Sequence, residues 1–234
     1  MNEDRVMKIS LVVGIVLAGL LFFAAPAVKS AEIYKPVDTA LVLAVDVSGS
    51  VNDERWDLQR NGIADVLESP DFGHTIRMGA IGRVAITIVQ WGTMAHSMPW
   101  RILENHQDAV VYAQEIRSMT RQESGGTCMG TALKKIDQQV IGQWLDYAGR
   151  VIVDVSGDGA TNCGMEFITA RQALLDQGIT INGLPIITPI EPKIDQWYEE
   201  NVIGGPGAFM VVADGYKEFA QAFKKKFIIE IAMR

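Results

Sequence analysis

The chain has 234 residues, of which 48% are hydrophobic and 21% charged, and it carries a formal net charge of -7. This length and composition indicate one globular domain with a substantial core, and they exclude a disordered or fibrous chain. The negative charge argues against a general nucleic-acid-binding protein. The one conspicuous basic cluster, Lys224-Lys225-Lys226, is interpreted as the charged face of the last helix.

Residues 1–31 have the layout of a secretory signal peptide. Arg5 and Lys8 precede an apolar run from Ile9 to Ala25, and small residues follow that run. The run is at the short limit for a membrane span, which needs about 20 residues. A retained N-terminal anchor is the alternative to cleavage. Both alternatives place one domain, residues 36–234, outside the cytoplasmic membrane, either in the periplasm or secreted.

The first half of the domain alternates between strand and helix patterns. A continuously apolar run such as Ala40–Val45 is typical of a strand that is buried on both faces. Pro70 is expected to end the first helix, and Asn105 to cap the second. The expected elements, in order, are strand Ala40–Val45, helix 53–67, strand Val84–Trp91, a short antiparallel edge strand Met98–Leu103, and a helix after Asn105.

The second half repeats this alternation. Its expected elements are a helix bearing Met129, Ala132, Leu133, Ile136, Val140 and Trp144, strand Arg150–Val155, a helix over 167–174, strand Ile179–Ile187, an exposed acidic helix with Tyr198, Glu199 and Glu200, strand Ala208–Val212, and a final helix over 216–227. This pattern predicts a doubly wound α/β fold, with a mostly parallel sheet flanked by helices. Ligands bind such sheets at the carboxyl ends of the strands.

The first strand runs directly into the motif Asp46-Val47-Ser48-Gly49-Ser50. One carboxylate and two hydroxyl groups thus reach a single loop, and oxygen ligands of this kind suit Mg²⁺ or Mn²⁺. The simpler interpretation is a turn in which Ser50 or Asn52 caps the next helix.

Two later segments favour the metal interpretation. Thr127 follows two glycines at the start of a helix, and Asp158 lies between glycines after the central strand Arg150–Val155. Thr127 alone could be a helix cap, and Asp158 alone a turn residue. Because both are expected at the same sheet edge as the first motif, their occurrence together favours a metal site over a turn and a helix cap.

This combination resembles the metal-ion-dependent adhesion site of von Willebrand factor A domains. The resemblance implies that the site residues are Asp46, Ser48, Ser50, Thr127 and Asp158. It also implies that they hold Mg²⁺, with Mn²⁺ as an alternative, and that an acidic residue of a protein partner binds the metal. Most A domains read Thr-Asp-Gly where this chain reads Ser156-Gly157-Asp158-Gly159. The added residue raises the question of whether Asp154 or Asp158 faces the metal. Asp154 is expected to point into or across the sheet, where it needs a partner.

Several segments also resemble a bacterial branch of this fold, the domain of unknown function number 1194, which has no assigned activity. The segments are 43–51, 154–159, 181–185 and 202–209.

The two cysteines are expected on loops beside the candidate metal site. Cys128 follows Thr127, and Cys163 lies five residues after Asp158. Export favours a disulfide between them, and two reduced thiols are the alternative.

The function expected from these features is an exported, metal-dependent protein-binding module that is not an enzyme. A metal-dependent hydrolase such as a phosphatase is one alternative. The sequence shows neither a paired Asp-x-Asp motif nor a Ser/His/Asp order, and the histidines have no metal-ligand spacing. A structural domain with a vestigial metal site is the other alternative.

Overall fold

A mixed sheet organises the part of the chain that the computed structural model describes, residues 35–122, 125–163 and 166–232. The expected signal segment, residues 1–31, lies outside these ranges. Within them, no helix is long and apolar enough to cross a membrane. The strands are β1 Val37–Asp46, β2 Val84–Trp91, β3 Ala95–Ser97, β4 Arg101–Leu103, β5 Ala148–Gly157 and β6 Thr180–Pro185.

The sheet is mostly parallel, as the sequence predicts. Its order is β3-β2-β1-β5-β6, with β4 also paired to β2. Strands β1, β2, β5 and β6 run parallel, whereas β3 and β4 are antiparallel to β2. Of the edge strand expected over Met98–Leu103, only β4 forms, and the second antiparallel strand, β3, precedes that range. Pro99 lies between them and has no N–H to donate to a sheet ladder.

Helices cover both faces of the sheet. They are α1 Asp53–Glu68, α2 Pro70–Arg77, α3 His106–Arg117, α4 Met129–Lys135, α5 Glu166–Asp176, α6 Ile194–Asn201 and α7 Phe219–Ala232. Leu41 and Leu43 of β1 pack in one core with α1, α2, α3 and α7. Val42 and Ala44, which alternate with them, pack in a second core with α4, α5 and α6. The doubly wound arrangement follows from this alternation, because successive side chains of a strand point to opposite faces.

The structure differs from the predicted elements at three further places. Pro70 begins α2 rather than only ending α1, because a proline at the first helical position loses no helical hydrogen bond. The single helix expected to continue after α4 is instead followed by a wider π turn, Ile136–Val140, and then by a tighter 3₁₀ turn, Gly142–Trp144. Segment 208–212 is not a strand, because it runs beside β6 and pairs with it only through an isolated bridge, Gly183 with Met210. At Phe209, the main-chain N–H donates to the side chain of Asn182 at 3.0 Å.

The lysine triplet is only partly the exposed face expected from the sequence. Lys224 and Lys225 are exposed, but Lys226 is fully buried. Its position on α7 is one turn from Phe223 and next to Phe227, so it lies on the stripe that faces the sheet. There it pairs with Asp154 and Glu230, which supplies the counter-charge that burial requires.

Candidate metal centre

Parallel register brings the ends of the central strands to one edge of the sheet. Asp46 at the end of β1 pairs with Trp91 at the end of β2, and Val45 pairs with Ser156 near the end of β5. The loop before α4 joins this edge because the Gly49 N–H donates to the carbonyl oxygen of Gly125 at 2.8 Å. The fold therefore gathers all three motifs that the sequence singled out.

Asp46 is fully buried at this edge, and its two carboxylate oxygens differ. Oδ1 accepts the main-chain N–H of Ser48 at 2.7 Å, whereas Oδ2 has no hydrogen-bond partner among the described residues. Burial raises the pKa of Asp46 to about 7; hydrogen bonds from Ser48 oppose the rise and the nearby charge of Asp158 adds to it. An unpartnered buried oxygen is costly, and a bound cation would offset that cost.

The hydroxyl groups of Ser48 and Ser50 lie beside this carboxylate. Their Oγ atoms are 3.2 Å apart, and Ser50 Oγ donates to Asp158 Oδ1 at 2.6 Å. Asn52, rather than Ser50, caps α1, because its side chain accepts the N–H of Arg55. Ser50 is thereby left to face Asp158.

Thr127 reaches the same edge from the loop before α4. Cys128, not Thr127, is the residue that precedes α4, and no side chain caps that helix. The Thr127 N–H donates to Asn162 Oδ1 at 2.9 Å, and its hydroxyl has a longer contact, 3.4 Å, with Asn162 Nδ2. A methyl group added at Gly159 would lie 3.6 Å from Thr127 Cγ2 and 3.8 Å from Thr127 Oγ1, so the Thr127 side chain lies beside the loop that carries Asp158.

The structure joins Cys128 and Cys163 in a disulfide, with Cα atoms 5.1 Å apart. The bond therefore ties the loop that carries Thr127 to the loop that follows Asp158. Asn162 makes a second link between the same loops, because its N–H donates to the Thr127 carbonyl at 3.1 Å.

Asp154 does not reach this edge of the sheet. Its side chain is buried and forms an ion pair with Lys226, 2.6 Å from Asp154 Oδ1 to Nζ. Of the two aspartates left open by the sequence, Asp158 is the one that contacts Ser50.

Arg55 is a site residue that the sequence did not single out. Its Nη1 donates to Asp158 Oδ2 at 3.1 Å and to the Ser50 carbonyl at 2.7 Å. The guanidinium also stacks on Tyr216, 4.9 Å from the ring centroid, and 30% of the side chain is exposed. Its position on the first turn of α1 carries no sequence signal, because it depends on how α1 packs against the loop of Asp158.

Tyr198 was expected on an exposed acidic helix and is instead completely buried. Its hydroxyl has no hydrogen-bond partner within the described ranges, and burial together with the charges of Asp46, Asp158 and Asp154 raises its pKa well above the ordinary value. A methyl group at Gly157 would lie 3.0 Å from this hydroxyl and 2.8 Å from Asp46 Oδ2. Gly157 therefore keeps the space between these polar atoms open.

The assembled donor set consists of oxygen atoms only. It contains only two carboxylates, and the described part of the chain, this edge included, has no group of three or more His, Cys, Asp or Glu side chains arranged to hold a metal ion. The donors are two carboxylates, one of which has the unpartnered Asp46 Oδ2, and three hydroxyls. Such oxygen donors suit a hard divalent cation such as Mg²⁺ or Mn²⁺ better than a soft metal.

The model of one protein family, "Protein of unknown function (DUF1194)", matches residues 36–234. The chain belongs to this family. Comparison with curated protein sequences finds no match.

Solved structures of von Willebrand factor A domain proteins share the fold. Proximal thread matrix protein 1 (PTMP1) from the mussel byssus has a TM-score of 0.61 at 18% identity, over 85% of this chain and 49% of that one. The pilus adhesin SpaC from Lactobacillus rhamnosus GG has a TM-score of 0.62 at 14% identity, over 86% of this chain and 31% of that one. A von Willebrand factor type A protein from Catenulispora acidiphila has a TM-score of 0.57 at 14% identity, over 84% of this chain and 43% of that one. This chain spans less than half of each, and at such identities the likeness shows the fold alone.

Proposed function

We propose that this protein is an exported module that binds another protein through a divalent metal and catalyses no reaction. The carrying observation is the buried, unpartnered Oδ2 of Asp46 at the edge where the hydroxyls of Ser48 and Ser50 and the carboxylate of Asp158 meet. The relatives in fold include an adhesin and a matrix protein. Another structure of PTMP1 is described with zinc occupying its MIDAS motif, at a TM-score of 0.60 and 18% identity.

The metal ligands in this proposal are Asp46, Ser48, Ser50, Thr127 and Asp158. When bound, Mg²⁺ supplies a Lewis-acidic position that accepts a carboxylate oxygen from a partner. Hydroxyls contribute no formal charge, so two carboxylates balance the ion and leave it attractive to a third. We expect weak binding of Mg²⁺ without a partner, because Mg²⁺ dehydrates reluctantly.

Arg55 extends this recognition beyond the metal. Its guanidinium is held by Asp158 and by the ring of Tyr216, and part of it faces solvent. A carboxylate that approaches the metal thus meets a second, pre-oriented cation, and planar guanidinium groups bind carboxylates well. An acidic side chain of a protein is the ligand that this pair of cations favours.

A hydrolase receives less support from the site. Among the described residues, Asp46 accepts hydrogen bonds from the Ser48 main-chain N–H and, at its main-chain carbonyl, from Gln59. Asp158 accepts hydrogen bonds from the side chains of Ser50 and Arg55. No histidine is among them to act as a general base for a serine nucleophile.

Affinity capture from an envelope extract of the source organism tests the proposal. The bait is the full chain, wild type or Asp46→Asn, in Mg²⁺ and then in EDTA. The matched control is Asp146→Asn, which changes an exposed aspartate just before β5, at the other end of the sheet. We expect a partner retained in Mg²⁺ by the wild type and by the control, and released by EDTA or by Asp46→Asn. A partner that is retained equally in EDTA and by the Asp46→Asn bait would contradict metal-dependent binding and favour a structural domain.

A further inference from the structure

Four polar side chains form a closed cluster between β5, β6 and α7, away from the metal site. They are all buried, with 0–3% exposure: Asp154, Asn182, Lys226 and Glu230. Burying a charged group without full compensation costs several kcal/mol, and this cluster brings together three ionisable groups. The proposed metal function does not use any of them.

The contacts within the cluster centre on the lysine amine. Lys226 Nζ lies 2.6 Å from Asp154 Oδ1 and also contacts Glu230 Oε1. Asn182 Nδ2 donates to that same Glu230 oxygen at 2.6 Å, while Asn182 Oδ1 accepts the Phe209 N–H. The ring of Phe209 covers the amine, with Nζ 5.3 Å from its centroid. The amine thus has an aspartate on one side and a held glutamate on the other.

One amine cannot neutralise two carboxylates. Burial raises the pKa of Asp154, and burial together with the charge of Asp154 raises the pKa of Glu230 to about 7. Glu230 is therefore the carboxyl group of the cluster that can give and take a proton near neutral pH. Passage of one proton from the Lys226 ammonium to the Asp154 oxygen 2.6 Å away gives the neutral amine and the carboxylic acid that an amide condensation needs.

We propose that Lys226 and Asp154 are joined by an intramolecular amide bond, with Glu230 as the proton-transferring group. The lone pair of Nζ attacks Cγ of Asp154 and forms the C–N bond. Glu230 gives its proton to the departing hydroxyl, the C–O bond breaks, and one water leaves. Glu230 then takes the proton lost by nitrogen, so it ends in the state in which it began. The reaction needs no oxidant or reductant.

The fold supplies what this condensation requires. Held reactive groups behave as if at very high concentration, which offsets the disfavoured condensation in water. The product also removes the charges of the amine and of Asp154 from the interior. Asn182, one member of the cluster, also lines a cavity of about 340 Å³. The bond would tie β5 directly to α7.

Peptide mapping of the folded full chain tests the bond. The purified protein is denatured, reduced to open the disulfide, digested with trypsin and examined by mass spectrometry. We expect one branched peptide that contains both Lys226 and Asp154, uncut after Lys226 and lighter than its two parts by one water. Recovery of the two peptides separately would overturn the proposal. A deficit of one ammonia would identify Asn182 as the acyl donor and overturn the assignment to Asp154.

Glu230→Gln is the matched variant, because glutamine keeps the size and the hydrogen bond with Asn182 but cannot transfer the proton. We expect its Lys226 and Asp154 peptides to be unlinked. If this variant bears the branched peptide at wild-type yield, the role of Glu230 is wrong. If the variant does not fold, the wild-type map still decides whether the bond exists.

Discussion

The carboxyl edge of the sheet and the cluster around Lys226 solve the same electrostatic problem in opposite ways. Each collects two carboxylates beside the central strands. At the edge, Asp46 and Asp158 face hydroxyls and an open side, and Asp46 Oδ2 has no partner among the described residues. In the cluster, Asp154 and Glu230 face a lysine of the same chain in a site closed to solvent.

This difference separates a site that binds from one that stabilises. Carboxyl groups that already contact a lysine of the same chain do not need a bound metal ion. Carboxylates that are accompanied only by neutral hydroxyls attract such an ion. Arg55 lies between these extremes, because it neutralises part of Asp158 but remains partly exposed. The predictions below test the distinction from the largest expected effect to the smallest.

Removing Lys226 has the largest effect. Lys226→Met takes away both the ion pair and the amide proposed above, and it leaves Asp154 and Glu230 buried without the lysine, so we expect the free energy of unfolding to fall by about 3–5 kcal/mol. Urea denaturation measures the change. The neighbouring Lys225→Met, which alters an exposed lysine, is expected to stay within about 0.5 kcal/mol of the wild type. Equal stability of the two variants would show that the buried pair contributes little.

Removing the disulfide should lower the free energy of unfolding by somewhat less than Lys226→Met does. Cys128 and Cys163 are separated by 35 positions, and the chain-entropy model gives about 3–4 kcal/mol for closing a loop of this size. The double variant Cys128→Ser/Cys163→Ser should melt at a lower temperature, and wild-type protein in reductant should match it. Thiol titration of the denatured, unreduced wild type provides the check: two free thiols would contradict the bond.

Arg55→Met tests the competing cation at the edge. The guanidinium repels a divalent ion and occupies Asp158 Oδ2, so its removal should strengthen Mg²⁺ binding by about tenfold. Arg121→Met is the comparison: this arginine also contacts the loop after β1, through the Val51 carbonyl, and does not contact Asp158. Unchanged affinity in Arg55→Met would place Arg55 outside the metal site.

The smallest effect is a pH dependence that belongs to the closed cluster. The folded-state pKa of Glu230 is about 7, above its ordinary 4.5, so the folded chain holds the proton more tightly than the unfolded chain. Its contribution is complete below about pH 4.5 and is lost as the pH rises through 7, by roughly 1 kcal/mol between about pH 6 and about pH 8. Glu230→Gln should flatten this decline in urea denaturation, while the exposed-site variant Glu200→Gln keeps it. Parallel declines in both variants would argue against the shift.

The sequence predicted the edge because its residues lie in short motifs at strand ends. Asp46, Ser48 and Ser50 lie within five positions, and the parallel pairing of β1 with β5 brings the loop of Asp158 to them. The loop of Thr127 joins them through the hydrogen bond from Gly49 to Gly125. Local spacing together with one topological rule was therefore sufficient.

The cluster around Lys226 could not be predicted from the sequence in the same way. Lys226 stands in a run of three lysines, and only the rotation of α7 distinguishes it from its exposed neighbours. Its partners come from β5 and from the next turn of α7, so no local pattern joins them. Tyr198 was misplaced for a similar reason: the acidic residues that follow it suggested exposure, but the packing of α6 turns its ring beneath Asp46.

The central claim is most directly tested by binding of Mn²⁺ to the metal-free full chain, followed by electron paramagnetic resonance of the free ion. The account predicts one equivalent bound by the wild type and by Asp146→Asn, displaced by Mg²⁺, and an affinity about 100-fold lower or worse in Asp46→Asn. Equal binding by the wild type and Asp46→Asn, or none by either, would contradict a metal site at this edge of the sheet.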